Sequence, residues 1–157
     1  MRSVLGPADL LFKRNLRCAM VKLTVGTEAD EDIADMIGEG LDEYNIERGG
    51  PYNHEELWIL ARDDDGRVLG GLKGYTGYSW TYVDWLWVSP ENRKTGLGSQ
   101  LLARAEASAR ERGCLGVYLE TFSFQAPEFY KRHGFHEFGR IDDYPPGHAT
   151  IWLKKQF

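Results

Sequence analysis

The stretch from Val83 to Leu102, VDWLWVSPENRKTGLGSQLL, limits the fold more than any other part of the chain. Val83, Trp85 and Trp87 alternate with Asp84, Leu86 and Val88, a β-branched and aromatic run that predicts a strand with both faces partly covered. Pro90 ends the strand, and Gly96 and Gly98 open a helix that carries Leu101 and Leu102. Glycines at the join let backbone come close to a ligand, and the helix start directs unpaired N–H groups and the positive end of its dipole to the same place. With Arg93 and Lys94 alongside, the join reads as an anion site, most naturally for phosphate. The other reading is a plain turn into an amphipathic helix. A dinucleotide fingerprint needs a small residue where Leu101 stands, and a P-loop needs Gly-Lys-Ser/Thr where the chain has Gly98-Ser99-Gln100, so neither motif is present.

The flanking patterns supply a sheet around this unit. Val21, Leu23 and Val25 alternate with Lys22 and Thr24 and predict a half-buried strand. A helix follows, capped by Thr27 or Asp30, with Ile33, Met36, Ile37, Leu41 and Tyr44 at helical spacing, weakened by Gly38 and Gly40; Asn45 to Glu56 reads as a loop or short second helix. Leu57–Arg62 and Val68–Tyr75 predict two strands joined across Asp63-Asp64-Asp65-Gly66, and a turn near Gly77–Ser79 leads into Trp80–Val88, completing an antiparallel meander. A calcium loop starting at Asp63 would need a glutamate at Gly74, so those acids read as solvated. From Leu97 the helix sets Leu101, Leu102, Ala105 and Ala109 against Arg104, Glu106, Arg110 and Glu111, and ends at Gly113. Gly116–Glu120 is the next strand, and the strand, helix, strand order implies a right-handed crossover with a parallel pair. A short helix over Ala126–His133 and a closing hairpin of Phe135–Ile141 and His148–Leu153 complete the chain.

Leu86-Trp87-Val88, then Arg93-Lys94-Thr95-Gly96-Leu97-Gly98 and Leu101-Leu102, resembles the Leu-x-Val strand and Arg/Gln-x-x-Gly-x-Gly/Ala loop of the GNAT family of N-acetyltransferases. Ala126-Pro127-Glu128-Phe129-Tyr130 with Gly134-Phe135 is similar to the family's later Ala-x-x-Phe-Tyr-x-x-x-Gly-Phe element. Lys94 stands where the family often has Gly, and Ser123 where many members have Asn. The resemblance spans residues 21 to about 153 and implies a mixed α/β fold: a mostly antiparallel sheet of six to seven strands with one splayed parallel pair, flanked by about four helices. It also implies acetyl-CoA as cofactor, with the pantetheine arm between the splayed strands. On this footing the expected cofactor residues are Leu86, Trp87, Val88, Arg93, Lys94, Thr95, Gly96, Leu97, Gly98, Ser99 and Gln125. The Val88 N–H is the expected oxyanion donor.

Acetyl transfer to an amine also needs a base and an acid. Alternation puts Tyr82, Asp84 and Leu86 on one face, where the family commonly carries its base, so Asp84 is the candidate. An ordinary Asp, of pKa about 3.9, is weak against an ammonium near 10, and the role needs burial or an ordered water; binding a cationic substrate by charge, or ordering the fold, are its other readings. Tyr130 occupies the family's general-acid position, its phenol donating to the departing thiolate, with packing as its alternative duty. Tyr44, Asn45 and Tyr82 are candidate substrate contacts, with core packing and helix capping as the other readings for Tyr44 and Asn45. The acceptor is expected to be a small-molecule amine, such as a polyamine, amino acid or amino sugar. A peptide or protein amine is second, and a non-catalytic acyl-CoA-binding module is the competing class. Trp58, Tyr75, Tyr78, Trp80, Tyr82, Trp85 and Trp87 form an aromatic set able to favour a cation or simply to fill a core.

Composition bounds these readings. The 157 residues, 42% hydrophobic, fit one domain over 21–157 after an N-terminal extension over 1–20 that lacks the apolar core of a secretory signal. A net charge of −5 argues against a nucleic-acid or anionic-membrane binder. Cys18 and Cys114 lack metal spacing, the His54-Glu55-Glu56 run has Trp58 where a zinc protease needs its second His, and His133 and His136 read as surface or capping residues, so no metal is expected. The cysteine usage suits a reducing cytoplasm. The family resemblance makes a homodimer plausible.

Overall fold

A computed structural model describes residues 21–28 and 30–157; the 1–20 extension, with Cys18, lies outside the described residues. The described residues fall into two units that divide between Asp42 and Glu43, and the sheet lies wholly in the second. The elements run α1 (Glu31–Gly49), β1 (Glu55–Arg62), β2 (Val68–Gly77), β3 (Trp80–Val88), a 3-10 turn at Pro90–Asn92, α2 (Leu97–Glu111), β4 (Gly116–Phe122), α3 (Pro127–Arg132), β5 (His136–Asp142) and β6 (Ala149–Gln156). They build one six-stranded sheet in the order β1-β2-β3-β4-β6-β5, antiparallel except for β3 beside β4. The mixed sheet with a single parallel pair is the architecture expected.

Three local expectations are corrected. Residues 21–26 form no strand, and Val21, Leu23 and Val25 are 83%, 88% and 102% exposed; alternation alone does not make a strand when none of the described residues pairs with its backbone. The first helix does not stop at Tyr44 but continues through Asn45 to Gly49, where Gly50 at φ +77° donates its N–H to the Ile46 carbonyl and ends it. Glu106 is not on the solvent side of α2 but 8% exposed, because the Lys155 ammonium donates to both its oxygens at 2.7 and 2.8 Å.

The hairpins follow their turn chemistry. Asp63 Oδ1 accepts the N–H groups of Asp65 and Arg67, closing the acidic turn between β1 and β2. Tyr78 and Ser79, at φ +45° and +59°, make the two-residue turn between β2 and β3, whose handedness matches the strand twist. The core lies between α2 and the sheet: Leu101, Leu102, Ala105 and Ala109 pack against Leu57, Leu72, Val83, Val117, Leu119, Ile151 and Leu153. Each fully buried leucine there contributes on the order of 1.5–3 kcal/mol.

One irregularity positions the site. In the β2–β3 ladder Gly74 pairs with Val83 and Lys73 with Trp85, so Asp84 is an extra residue, a β-bulge. A side chain at Gly74 would collide with the Tyr82 carbonyl, which is why the residue opposite the bulge is glycine. The bulge reverses the phase of the strand. Val83 and Leu86 both face the α2 core, whereas Tyr82 packs on the other face against Tyr75 and Tyr118, with ring centroids 5.4 and 4.9 Å away. Tyr82, Asp84 and Leu86 therefore do not share a face, as strict alternation required.

Candidate active site

The bulge also bends β3 away from β4. Their parallel ladder runs from Trp80↔Gly116 to Val83↔Leu119 and stops, while β3 stays paired to β2 as far as Val88 and β4 to β6 as far as Phe122. Between the two arms opens a cleft of about 950 Å³, within the range of small-molecule sites. Ser89 donates its N–H toward β2, to the Leu69 carbonyl; by alternation along the strand, the N–H and C=O groups of Val88 and Leu86 face the cleft.

The base of the cleft is the start of α2. Its first i to i−4 bond is Gln100 N–H to the Gly96 carbonyl, which leaves the N–H groups of Leu97, Gly98 and Ser99 unpaired within the helix. Gly96 sits at φ +91° as the helix cap. Lys94, at φ +64°, adopts the left-handed conformation that explains why glycine is favoured at this place; Lys94 occupies it with strain. The Arg93 Nε donates to the Val88 carbonyl at 3.3 Å, holding the guanidinium across the foot of β3. Among the described residues Arg93, Lys94 and Arg132 bring positive charge to the lining. A splayed strand pair, free donors at a helix start and three cations fit an extended ligand with a pyrophosphate at one end.

Of the residues singled out in the sequence, Asp84, Leu86, Trp87, Val88, Arg93, Lys94, Gly96, Gly98, Ser99, Gln125 and Tyr130 line this cleft. Thr95 and Leu97 do not: the Thr95 hydroxyl donates to the Asn92 carbonyl at 2.7 Å, and Leu97 packs on the core. Tyr44 and Asn45 lie on α1 outside the lining, with the Arg48 guanidinium 5.3 Å from the Tyr44 ring centroid. Tyr82 is outside it too. Its phenol is pushed up to about 12, by desolvation first and then by the charges of Glu120 and Asp84. Gln125 reaches the cleft while its Oε1 accepts the Thr121 hydroxyl and the Phe122 N–H at 3.0 and 2.9 Å, so it also fastens the loop before α3.

The two candidate proton-transfer groups stand in different settings. Tyr130 is half-buried against Phe129 and Phe135, and desolvation raises its phenol above 10, which keeps the proton on the oxygen. Asp84 lies 3.6 Å from the Lys73 ammonium. That ammonium is itself 4.6 Å from the Trp85 ring centroid and 5.7 Å from that of Trp58, so the aromatic set read as attractive to a substrate cation holds the protein's own cation.

Two of the lining residues that were not singled out as site residues bear on its chemistry. His133, read as a surface or capping residue, bridges two elements: its Nδ1 donates to the Phe129 carbonyl at 2.8 Å and its Nε2 pairs with Ser99 Oγ at 2.9 Å, tying the end of α3 to the start of α2. Glu120 lines the cleft and a smaller cavity of about 240 Å³ beside it. The signal available was its place at the end of a strand whose partner carries Asp84.

No cluster of His, Cys, Asp or Glu suited to a metal occurs among the described residues, and none of their helices is long and apolar enough to cross a membrane. Residues 27–135 match the model of the acetyltransferase (GNAT) family. The chain is 39% identical over 129 residues to an acetyltransferase of Agrobacterium fabrum, covering 82% of this chain and 94% of that one. It is 50% identical over 97 residues to blasticidin-S acetyltransferase of Streptomyces morookaense, covering 61% and 71%. An acetyltransferase structure from Bacillus cereus superposes with a TM-score of 0.79 at 34% identity, covering 88% of this chain and 99% of that one. With the strand, loop and helix of the fork already in place, these likenesses show that the chain belongs to the GNAT family, acetyltransferases that use acetyl-CoA.

Proposed function

We propose that the protein acetylates a primary amine of a small molecule, with acetyl-CoA bound in the fork between β3 and β4. The observation that carries this reading is the divergence of the two strands after Val83 and Leu119 directly above the free N–H groups of α2. The bound cofactor supplies an acetyl thioester whose carbonyl is the electrophile. Gly98 and Ser99 N–H groups with Arg93 and Lys94 would hold its pyrophosphate, and the Leu86 and Val88 backbone would grip its amide arm. The Val88 N–H donates to the carbonyl oxygen where negative charge develops. Tyr130, kept protonated by burial, gives its proton to the leaving sulfur. Asp84 stands on the acceptor side of the fork as an ion pair with the Lys73 ammonium. The 50% identity to a protein named for a small-molecule substrate, blasticidin-S, supports a small acceptor over a peptide. The reading carries a cytoplasmic location and pairing of two copies along a sheet edge, the latter checked by size-exclusion chromatography.

Calorimetric titration of acetyl-CoA into the wild type and Arg93→Ala, followed by thiol release against a panel of amines, tests the reading. Saturable binding, weakened about tenfold or more by the substitution, together with amine-dependent release is the expected outcome. Binding without release would leave an acyl-CoA-binding module, and absence of binding would remove the function.

A further inference from the structure

The last pair of the β3–β4 ladder is Val83↔Leu119, and the next residue on each arm is an acid: Asp84 on β3 and Glu120 on β4. Both carboxylates line the cleft and the smaller cavity next to it. Their surroundings differ. Asp84 has the Lys73 ammonium at 3.6 Å, and Lys73 is fixed in turn by the Trp85 and Trp58 rings. Among the described residues Glu120 takes part in no ion pair and no side-chain hydrogen bond, and the residue opposite it on β6 is the uncharged Trp152. The fork therefore carries one neutralised carboxylate and one that is uncompensated.

The geometry points to Glu120 as the carboxylate that binds the acceptor's ammonium group and takes its proton, with Asp84 and Lys73 as the fixed ion pair behind it. The inference rests on the acetyl-transfer reading above. An acceptor amine is protonated in solution and cannot attack a carbonyl until one N–H bond breaks. At the fork that proton passes to a Glu120 oxygen, the electron pair stays on nitrogen, and the exposed carboxyl returns the proton to solvent. Asp84 is less suited to the step, because protonating it would strand Lys73 without its counter-charge. The charged and titratable groups around Glu120 are Tyr82 and Asp84 from β3, Lys73 of β2 through Asp84, Tyr118 on its own strand, and Tyr130, Arg132 and His133 of the α3 segment across the cleft; β6 sets Trp152 opposite Glu120, with Thr150 and the cationic Lys154 at the two diagonal positions. The acceptor class that follows is a small cationic amine; a neutral aniline-like or hydroxyl nucleophile would leave the uncompensated charge unmatched.

Glu120→Gln, Glu120→Asp and Asp84→Asn are compared with the wild type, using spermidine, L-lysine and glucosamine as probe amines and acetyl-CoA as donor. Each variant is first titrated with acetyl-CoA, which reports folding and the cofactor site separately from turnover. Glu120→Gln is expected to bind acetyl-CoA as the wild type does, to lose about 100-fold or more in kcat/KM for the amine, and to lose the acidic limb of the pH profile. Glu120→Asp restores part of the rate with the limb present, and Asp84→Asn loses less than Glu120→Gln. A Glu120→Gln variant within about twofold of the wild type, or one that keeps the acidic limb while Asp84→Asn removes it, overturns the assignment and moves the base to Asp84. Wild-type protein that binds acetyl-CoA but releases no thiol with any probe amine overturns the transfer reading itself, a result separate from an active wild type with an unimpaired Glu120→Gln.

Discussion

The same two strands behave differently in their two halves. From Trp80 to Val83 and from Gly116 to Leu119 the backbones of β3 and β4 satisfy one another, and Thr81, Val83, Val117 and Leu119 are at most 3% exposed. Beyond that point each strand keeps its outer neighbour and releases its inner one, and Trp85 and Trp87 are 58% and 50% exposed. Unpaired buried backbone is costly, so an open half is retained only where something else will meet its polar groups. The paired half anchors the open half, and one inserted residue, Asp84, separates them.

The comparison is broken hardest from the open side. Tyr130→Phe is expected to lower kcat about 10²–10⁴-fold with little change in stability or acetyl-CoA affinity, read from steady-state kinetics beside a melting curve. In the paired half the signs reverse. Leu119→Ala, at a site 1% exposed, should cost about 2–5 kcal/mol of unfolding free energy in a denaturant titration while folded protein still binds acetyl-CoA. The back of the paired half sharpens the contrast through pH. Tyr82 and Tyr118, in register across the two strands, are both pushed up to about 12, chiefly by desolvation. Below pH 10 they are neutral in both folded and unfolded chains and their contribution is fully present. Between 10 and about 12 the unfolded chain releases the protons first, so stability falls with rising pH, by on the order of 1 kcal/mol for each ring after solvent screening. Tyr82→Phe should flatten that fall in denaturation midpoints measured across the same window. The smallest effect belongs to Lys94→Gly, which relieves a φ of +64° but loosens the unfolded chain, for a net change within about 0.5 kcal/mol. Its acetyl-CoA affinity should drop with the lost charge.

Much of this division is legible in the amino-acid sequence. The extents of β3 and α2 follow from the Trp-rich alternation, Pro90 and the glycines, and the crossover rule supplies the parallel partner. The donors at the start of α2 follow from the same residues. What pattern alone misses depends on contacts between distant segments. The bulge at Asp84 is invisible in a period-2 pattern because its cause is the approach of Gly74 to the Tyr82 carbonyl. Glu120 looks like an ordinary polar position in a strand, since only the fork places it beside Asp84. His133 gains its role from Ser99, far away in sequence, and Val21 to Val25 shows the converse, a strand pattern with no ladder.

The sheet order has a consequence for synthesis. Among the described residues β5, made before β6, has β6 as its sole neighbour, and β6 also covers the free edge of β4. A nascent chain that has reached Asp142 thus carries a completed meander and crossover beside an open strand edge and a following strand with nowhere to dock. Until Ala149 to Gln156 emerge and slide between them, that edge is a template for pairing with another chain.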